Sequence, residues 1–525
     1  MVKTSYLSAF AVTLSGAVLL SACTKSGEAV VEPTATQQAE TTALSCDGLA
    51  SLQLENTVIQ SAELMAAGSF QPPPSTGPGS RPADYSSLPE FCRVTGSIKP
   101  TEASDIQFEA WLPLTESWNG HFMQVGNGGA AGSLLYSSMV EPLKRGYAVV
   151  HTDTGHKGAT GDFSWALGEP EKLTDYQYRA VRELTLTGKA ITTTRYGEAP
   201  DKAFWYGCST GGRQGLLEAQ RYPEDYDAIV AGAPANNWEP LQLLSVHITK
   251  NLGPGGFPVQ KLGLLKQAAI AACDGEDGLE DGVIADPEGC KFNPQDLVCE
   301  AGADAKSCLS QSEAAAANRV YAGVTLSDGS VVFPGTGFGS EPAWAAYSTP
   351  FFQIGTSYLR NVVFEDPDWD PATLDVDADL ARTIEVEQGA TAAMDPDLSA
   401  FAANGGKLLL YHDHGLADGI ISYGNTMNYY ESILETMDAS TVEGSIQFFT
   451  VPGMGHCSGG DGASEIDWLT AMEDWVETGE KPEQLVATKS GETGYTRPVC
   501  TYPNIVTYSG EGDETDAANF TCEAP

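Results

Sequence analysis

Short apolar runs alternate with longer amphipathic segments along this chain, most clearly between residues 106 and 236. Residues 106–112 place apolar and polar side chains at alternate positions, the pattern of a half-buried strand. His121–Val125 is a second apolar run and leads into Gly126-Asn127-Gly128-Gly129; a third, 147–152, ends in Asp153-Thr154-Gly155-His156. Apolar positions at Tyr178, Val181, Leu184, Leu186 and Ile191 predict a helix over 175–194. A strand over 203–206, a helix over 213–221 and a strand over 228–231 follow. The rhythm returns late, with strands over 407–411 and 446–451 and helices over 426–437 and 466–477. Strands alternating with helices predict a mainly parallel sheet covered on both faces. From 237 to 404 the rhythm lapses into Gly, Pro, Cys and scattered aromatic residues, which predicts an inserted domain.

At 525 residues the chain exceeds what one plain core fills, so a main domain with a large insertion is expected. The organisation is then a core in two parts, 46–236 and 405–525, around an inserted lid domain, 237–404. Before them, Lys3, an apolar run over 6–20 and Leu20-Ser21-Ala22-Cys23 read as a secretory signal over 1–22. A cysteine directly after small residues matches a bacterial lipobox, in which Cys23 becomes the lipidated N-terminus; the alternative is an ordinary signal with a chance cysteine. Residues 23–45, rich in Thr, Glu, Gln and Ala, read as a flexible tether. The protein is thus expected outside the cytoplasm, anchored to a bacterial membrane by lipid alone or else periplasmic or secreted. Setting Cys23 aside leaves ten of the eleven cysteines, an even number that suits a disulfide framework of undetermined connectivity. The formal net charge of −42 repels phosphate and excludes a nucleic-acid binder. It fits salt adaptation of the surface equally well and leaves the substrate and oligomeric state open.

Gly207-Cys208-Ser209-Thr210-Gly211-Gly212 is a Gly-x-Ser-x-Gly turn between a predicted strand and a predicted helix, the setting of a nucleophile elbow. A serine hydroxyl needs a base, and the base needs an orienting carboxylate. His456, after the 446–451 strand, is the candidate base. Asp418, after the 407–411 strand, is the candidate acid, with Asp413 as the alternative. Cys208 and Cys457 neighbour the nucleophile and the base, so one bridge between them would hold both together across roughly 250 residues. Cys208 as a thiol nucleophile is the competing reading. The oxyanion donors are expected at the Thr210 amide and in the glycine loop, at Gly128 or Gly129. His412 and His414 resemble metal ligands, but without a second cluster at zinc spacing a structural role is favoured.

In the insert, Cys273-Asp274-Gly275-Glu276-Asp277-Gly278-Leu279-Glu280-Asp281-Gly282-Val283, closed by Cys290, can wrap oxygen ligands around calcium, with a solvated acidic turn as the plain alternative. Asp274, Asp277 and Asp281, with the carbonyls of Leu279 and Val283, form the expected ligand set. Aromatic residues crowd 344–369, and Trp344, Phe351, Phe352 and the cation Arg360 are candidate substrate contacts.

Together, Gly-Cys-Ser-Thr-Gly-Gly-Arg, Asp-Gly-x-x-Asp-Gly and Gly-x-Gly-His-Cys, in this order, resemble the tannase/feruloyl esterase family of secreted hydrolases, over about 46–522. Trp118-Asn119-Gly120 and Tyr178-Arg179-Ala180-Val181 carry the resemblance further. It implies an α/β-hydrolase fold with a large inserted lid, a lid calcium, and Ser209, Asp418 and His456 as nucleophile, acid and base. It also implies the pairs Cys46–Cys92, Cys208–Cys457, Cys273–Cys290, Cys299–Cys308 and Cys500–Cys522. Gly419 departs from the proline that often follows the acid, the 411–415 loop is longer than usual, and Arg182 replaces a histidine. The implied activity is hydrolysis of hydroxycinnamic or related phenolic esters, with gallate esters or terephthalate half-esters as alternatives. A non-catalytic calcium-stabilised surface lipoprotein is the reading from another class.

Overall fold

A computed structural model describes residues 43–73, 83–252, 255–349, 353–414, 418–492 and 494–525. The expected signal, Cys23, most of the tether, Phe351 and Phe352 lie outside these residues.

The strands before residue 237 are β1 (Thr57–Met65), β2 (Phe91–Ile98), β3 (Ile106–Pro113), β4 (His121–Val125), β5 (Ala148–Thr152), β6 (Lys202–Cys208) and β7 (Ala228–Gly232). Among the described residues, the segment 237–404 adds only the short hairpin β8 (Val324–Thr325) and β9 (Val331–Phe333). After it come β10 (Lys407–Asp413), β11 (Ile446–Val451), β12 (Gln484–Lys489) and β13 (Tyr495–Thr501), then the hairpin β14 (Ile505–Tyr508) and β15 (Phe520–Glu523). Eleven strands form one sheet in the order β1-β2-β3-β5-β4-β6-β7-β10-β11-β13-β12.

Its centre, β5-β4-β6-β7-β10-β11, is parallel. Every residue of β5, β7 and β11 is buried, as expected of strands covered on both faces. Neighbouring positions serve opposite layers: Leu408 and Leu410 join Val150, Trp205 and Phe448 on one side, while Leu409 and Tyr411 join Val149, Phe204 and Phe449 on the other. Helices Ala180–Tyr196, Thr210–Arg221 and Tyr423–Thr436 cover the first side; Tyr136–Lys144 and Trp468–Thr478 cover the second. The expectation of a mainly parallel sheet holds only for this centre. β1, β2 and β3 form an antiparallel meander that joins β5, and β13 and β12 extend the other edge antiparallel. Short connections permit antiparallel pairing of β2 with β3 and of β12 with β13, whereas the rule applied to the sequence concerns strands separated by helices. The helix expected from 175 opens as a π turn over Asp175–Arg179 before the α-helix Ala180–Tyr196 begins.

β7 and β10 are adjacent although the whole segment 237–404 lies between them in sequence. That segment is mostly helical and centres on Trp238, Leu244, Leu265, Val320, Trp344 and Tyr358, which share one apolar cluster with Ala130, Phe163 and Tyr176 of the main body. Rings make the seam: Phe163 meets Tyr358 at 5.1 Å and Tyr176 at 5.4 Å, and Tyr176 meets Trp238 at 5.9 Å between centroids. Among the described residues no helix is long and apolar enough to cross a membrane.

The end of β7 is packed tightly enough to test. A Cβ on Gly232 would overlap the ring of Tyr411 on the neighbouring strand, so Gly232→Ala is expected to cost about 1–3 kcal/mol of unfolding free energy in denaturant titration. Gly444→Ala, with open space around the added methyl, is the control and should be neutral or slightly stabilising.

Candidate active site

β6 delivers the chain to Ser209 with φ 63° and ψ −124°, and the helix Thr210–Arg221 starts at the next residue. Such a strained serine between strand and helix is how an elbow lifts its hydroxyl above the sheet. The glycines make the bend possible. A Cβ on Gly207 would sit 2.6 Å from the carbonyl carbon of Gly211, one on Gly126 would sit 2.5 Å from the Cα of Gly211, and one on Gly212 would sit 2.5 Å from the carbonyl oxygen of Gly232. Backbone hydrogen bonds fix the strained residue: the Ser209 amide donates to Gly232 O at 2.9 Å, and its carbonyl accepts from the amides of Arg213 at 3.0 Å and Ala235 at 3.1 Å.

His456 lies on the turn after β11, which is closed by the Gly455 amide on Gly459 O and the Gly462 amide on Gly453 O, both at 2.9 Å. Cys208 and Cys457 are bonded, their Cα atoms 5.9 Å apart, so the residue beside the serine is covalently joined to the residue beside the histidine. The remaining bridges join Cys46–Cys92, Cys273–Cys290, Cys299–Cys308 and Cys500–Cys522, the pairs that the resemblance implies.

Of the two candidate acids, Asp418 meets the histidine. Its Oδ2 accepts from His456 Nδ1 at 2.7 Å, and its Oδ1 accepts from the amides of Ile420 at 2.9 Å and Ile421 at 3.1 Å. Burial alone would raise this carboxyl, but His456, His412 and the backbone donors hold it below the usual aspartate value. Asp413 turns instead to His412. His414 is buried against the edge of Tyr423, its amide on Val451 O at 3.1 Å.

Gly419 has a steric reason. A Cβ there would lie 2.8 Å from that of Ala343, because the helix Glu341–Trp344 of the insert presses on the acid's turn. Trp344 belongs to that buttress. It is wholly buried, with Nε1 donating to Ser340 Oγ at 3.3 Å and its ring 5.0 Å from Tyr321, so it packs the insert and is not a substrate contact. Arg360 lines a cavity of about 400 Å³ with Asp162, Ser164, Gln353, Ser357 and Asn361, and its Nε donates to Trp369 O at 2.8 Å.

On the other side of the serine, Thr210 occupies the first position of its helix, where an amide has no acceptor within the helix. Its Oγ1 donates to Gly129 O at 2.8 Å, and Tyr176 OH donates to the same oxygen at 3.1 Å. The Asn127 amide donates to Gln214 Oε1 at 3.0 Å, and Asn127 Nδ2 donates to Thr152 O at 2.7 Å. These contacts fasten the 126–129 loop, with Gly128 and Gly129, to the start of the serine's helix at Thr210. Tyr176 and Gln214 carry no sequence signal of this role; both lie on helices whose periodicity marks them only as packing residues.

The acidic loop lies closer to the base than its place in the chain suggests. A Cβ on Gly453, in the histidine's turn, would be 3.3 Å from Val283 Cγ1, and Asp277, Asp281 and Val283 share a cavity lining with Pro452, Gly462 and Ala463. Asp274 accepts from the amides of Gly282 at 2.9 Å and Val283 at 3.1 Å, Asp277 from that of Leu279 at 3.0 Å, and Asp281 Oδ2 from Arg497 Nη2 at 2.7 Å. Burial first, then the charges of Asp281 and Asp274, push the Asp277 carboxyl up to about 7. Leu279 packs on Cys500, Val506 and Phe520 of the C-terminal tail.

The family model described as tannase and feruloyl esterase matches residues 92–523. A probable feruloyl esterase B-1 of Aspergillus flavus is 34% identical over 460 residues, covering 82% of this chain and 86% of the relative. An uncharacterized esterase of Xanthomonas campestris is 33% identical over 540 residues, covering 91% of both. The crystal structure of feruloyl esterase B from Aspergillus oryzae superposes with a TM-score of 0.84 at 31% identity, covering 91% of this chain and 99% of that one. Tannin acyl hydrolase from Aspergillus niger, at 24% identity and a TM-score of 0.75 over 90% of this chain and 93% of its own, shares the fold.

The bridge beside the serine and histidine yields a direct expectation. Replacing Cys208 and Cys457 together by alanine should lower ester turnover by at least about tenfold while far-ultraviolet circular dichroism stays native, since misplacing the base by an ångström is costly in rate. Equal loss of activity and of secondary structure would assign the bridge to general stability instead.

Proposed function

This chain belongs to the tannase and feruloyl esterase family and is a carboxylic ester hydrolase of feruloyl esterase-like kind, and on that premise we propose that it is an exported serine esterase cleaving esters of hydroxycinnamic or related phenolic acids. The observation that carries the mechanism is the 2.7 Å hydrogen bond from His456 Nδ1 to buried Asp418, on a turn bonded through sulfur to the elbow of Ser209. In this reading Ser209 Oγ attacks the ester carbonyl while His456 takes its proton, and Asp418 holds the imidazole in the tautomer whose Nε2 is free to act as base. The amides of Thr210 and of Gly128 or Gly129 hold the oxyanion; the alcohol leaves with the proton from His456, and water then releases the acid by the same steps. The segment 237–404 serves as a lid in this proposal, supported by its seam along Phe163, Tyr176 and Trp238 and its contact with Gly419. Export rests on the signal over 1–22 with lipidation at Cys23, and five disulfides suit an oxidising compartment.

For calcium, the donors of Asp274, Asp277, Asp281, Leu279 and Val283 are all oxygen, and three carboxylates share a loop closed by Cys273–Cys290, with Arg497 on one of them. This set fits a hard divalent cation, which would brace the loop and take no part in acyl transfer. Chelation is therefore expected to lower the melting temperature, and because the loop packs on the turn of His456, turnover should fall with it and return on adding calcium. Exhaustively chelated protein that melts unchanged would reduce the loop to a solvated acidic turn.

Substrate class is tested with methyl ferulate, methyl gallate, chlorogenate, mono(2-hydroxyethyl) terephthalate and short aliphatic esters, with Ser209→Ala as the blank. Aromatic acyl esters should exceed acetyl or butyryl esters by at least about tenfold in kcat/KM. Ser209→Ala should lose about three orders of magnitude while folded. Preference for gallate or for the terephthalate half-ester would move the assignment within the family, and absence of turnover on every ester would favour a binding lipoprotein.

A further inference from the structure

Behind the Asp418–His456 pair lies a second ionisable pair. His412 and Asp413 end β10, and both side chains are wholly buried. His412 Nδ1 is 2.5 Å from Asp413 Oδ1, and its Nε2 is 4.0 Å from Asp418 Oδ2, the same oxygen that accepts from His456. That Nε2 makes no hydrogen bond among the described residues. Asp413 Oδ2 in turn accepts from the Asp418 amide at 3.3 Å.

We propose that His412 is an imidazolium held between two carboxylates, a positioning residue whose charge keeps Asp418 ionised and aimed at His456. The inference rests on the catalytic reading above. A neutral imidazole has one donor nitrogen and one acceptor nitrogen. If Nδ1 donates to Asp413, a neutral ring would turn its remaining lone pair towards Asp418 Oδ2, and the two would repel. A proton on each nitrogen makes both contacts attractive and leaves two buried carboxylates balanced by one cation, with one negative charge left for His456 when it takes the serine proton. Burial alone would drive His412 towards its neutral form, but the charges of Asp413 and Asp418 outweigh it and raise its proton affinity. Burial and the charge of Asp418 raise Asp413 as well; the proton between them rests on the imidazole because there it attracts both carboxylates, which a proton on Asp413 cannot do.

Among the described residues, the other groups nearby supply no competing cation. His414, held to about 4 by burial, is neutral at working pH, and Asp286 faces it. Tyr347 lies near Asp418 and Tyr423 near Asp413, both phenols pushed up by burial. The flanking strands place Thr450, Val451 and Gly232 alongside. Ligand atoms of His412, Asp413 and Asp418 lie within 4.8 Å of one another, close enough for a metal ion. Nδ1 is already committed to Asp413 and Asp418 Oδ2 to His456, however, so a proton satisfies the cluster with the bonds it has.

Two measurements test this, one independent of activity. In the wild-type protein with 15N-labelled histidine, the His412 signals, assigned by their loss in His412→Gln, should show both ring nitrogens protonated from pH 6 to 9. A singly protonated ring across that range overturns the proposal, and zinc recovered with the protein together with chelator-sensitive activity would replace it with a metal site. In His412→Gln, which keeps an N–H near the Nε2 position without the charge, removing a cation beside the Asp418–His456 pair lets that pair keep its proton to higher pH. The acidic limb of kcat/KM should therefore move up by at least about half a pH unit, with kcat lowered and KM little changed. A folded His412→Gln protein with an unmoved limb overturns the proposal; if that variant does not fold, the His412 signals are assigned by through-bond correlation to the backbone of the wild-type protein, and its spectrum decides. Full activity in Ser209→Ala would sink the catalytic reading, while the spectrum would still report the charge on His412.

Discussion

The close approach of the serine's helix to the glycine loop is the constraint on which the rest of the site depends. Gly126 and Gly211 meet backbone to backbone, and Gly207 and Gly212 let the helix fold back on β6 and β7 at the same level. No side chain larger than hydrogen fits at these contacts, so the distance between Ser209 and the 126–129 loop is set by the van der Waals surfaces of main-chain atoms, which cannot repack. Thr210, Tyr176, Asn127 and Gln214 then lock that distance with hydrogen bonds to or from the loop. The strain at Ser209 is tolerated because its amide and carbonyl are both held by neighbours across the sheet.

Around this fixed point the remaining groups arrive from distant parts of the chain, and each is held by something other than its own segment. His456 is held by the bridge to Cys208 and by Asp418; Asp418 by the amides of Ile420 and Ile421 and by the helix that presses on Gly419; the turn of His456 by the acidic loop and, behind it, the tail. Arg213 repeats the pattern one helical turn beyond the serine. Wholly buried, it donates to Gln177 O at 3.0 Å and Thr391 O at 3.1 Å and lies over the rings of Tyr176 and Trp238, tying the serine's helix to both ends of the insert. Catalytic geometry is in this sense a property of the seam between core and insert.

The parallel centre of the fold was legible in the sequence because its strands are buried on both faces and read as unbroken apolar runs, each followed by an amphipathic helix. The elbow was legible because its glycines answer a steric need that no other residue meets, and Asp418 because it follows a strand in the right chain order. What stayed hidden depends on contacts across the fold. β1 lies at the edge of the sheet, where its inward positions are mostly only half-buried, and nothing local distinguishes its antiparallel partners. Trp344 read as a substrate contact because an aromatic residue in a lid looks the same whether it faces the cleft or the lid's own interior. The acidic loop seemed remote from the base because sequence distance was the only distance available. His412 read with His414 as a metal ligand or a structural residue, and Asp413 as the alternative acid; their relation to Asp418 appears only once the turn brings the second carboxylate to the far side of the imidazole.

The neighbouring positions of β7 and β10 bear on when the protein becomes competent. Ser209 is synthesised early and His456 late, and the strands that carry them into one sheet cannot register until the whole of 237–404 has emerged and folded out of the way. The covalent tie between their neighbours forms only where thiols are oxidised. A chain still in a reducing compartment therefore has the nucleophile and the base but lacks the bond that joins their segments.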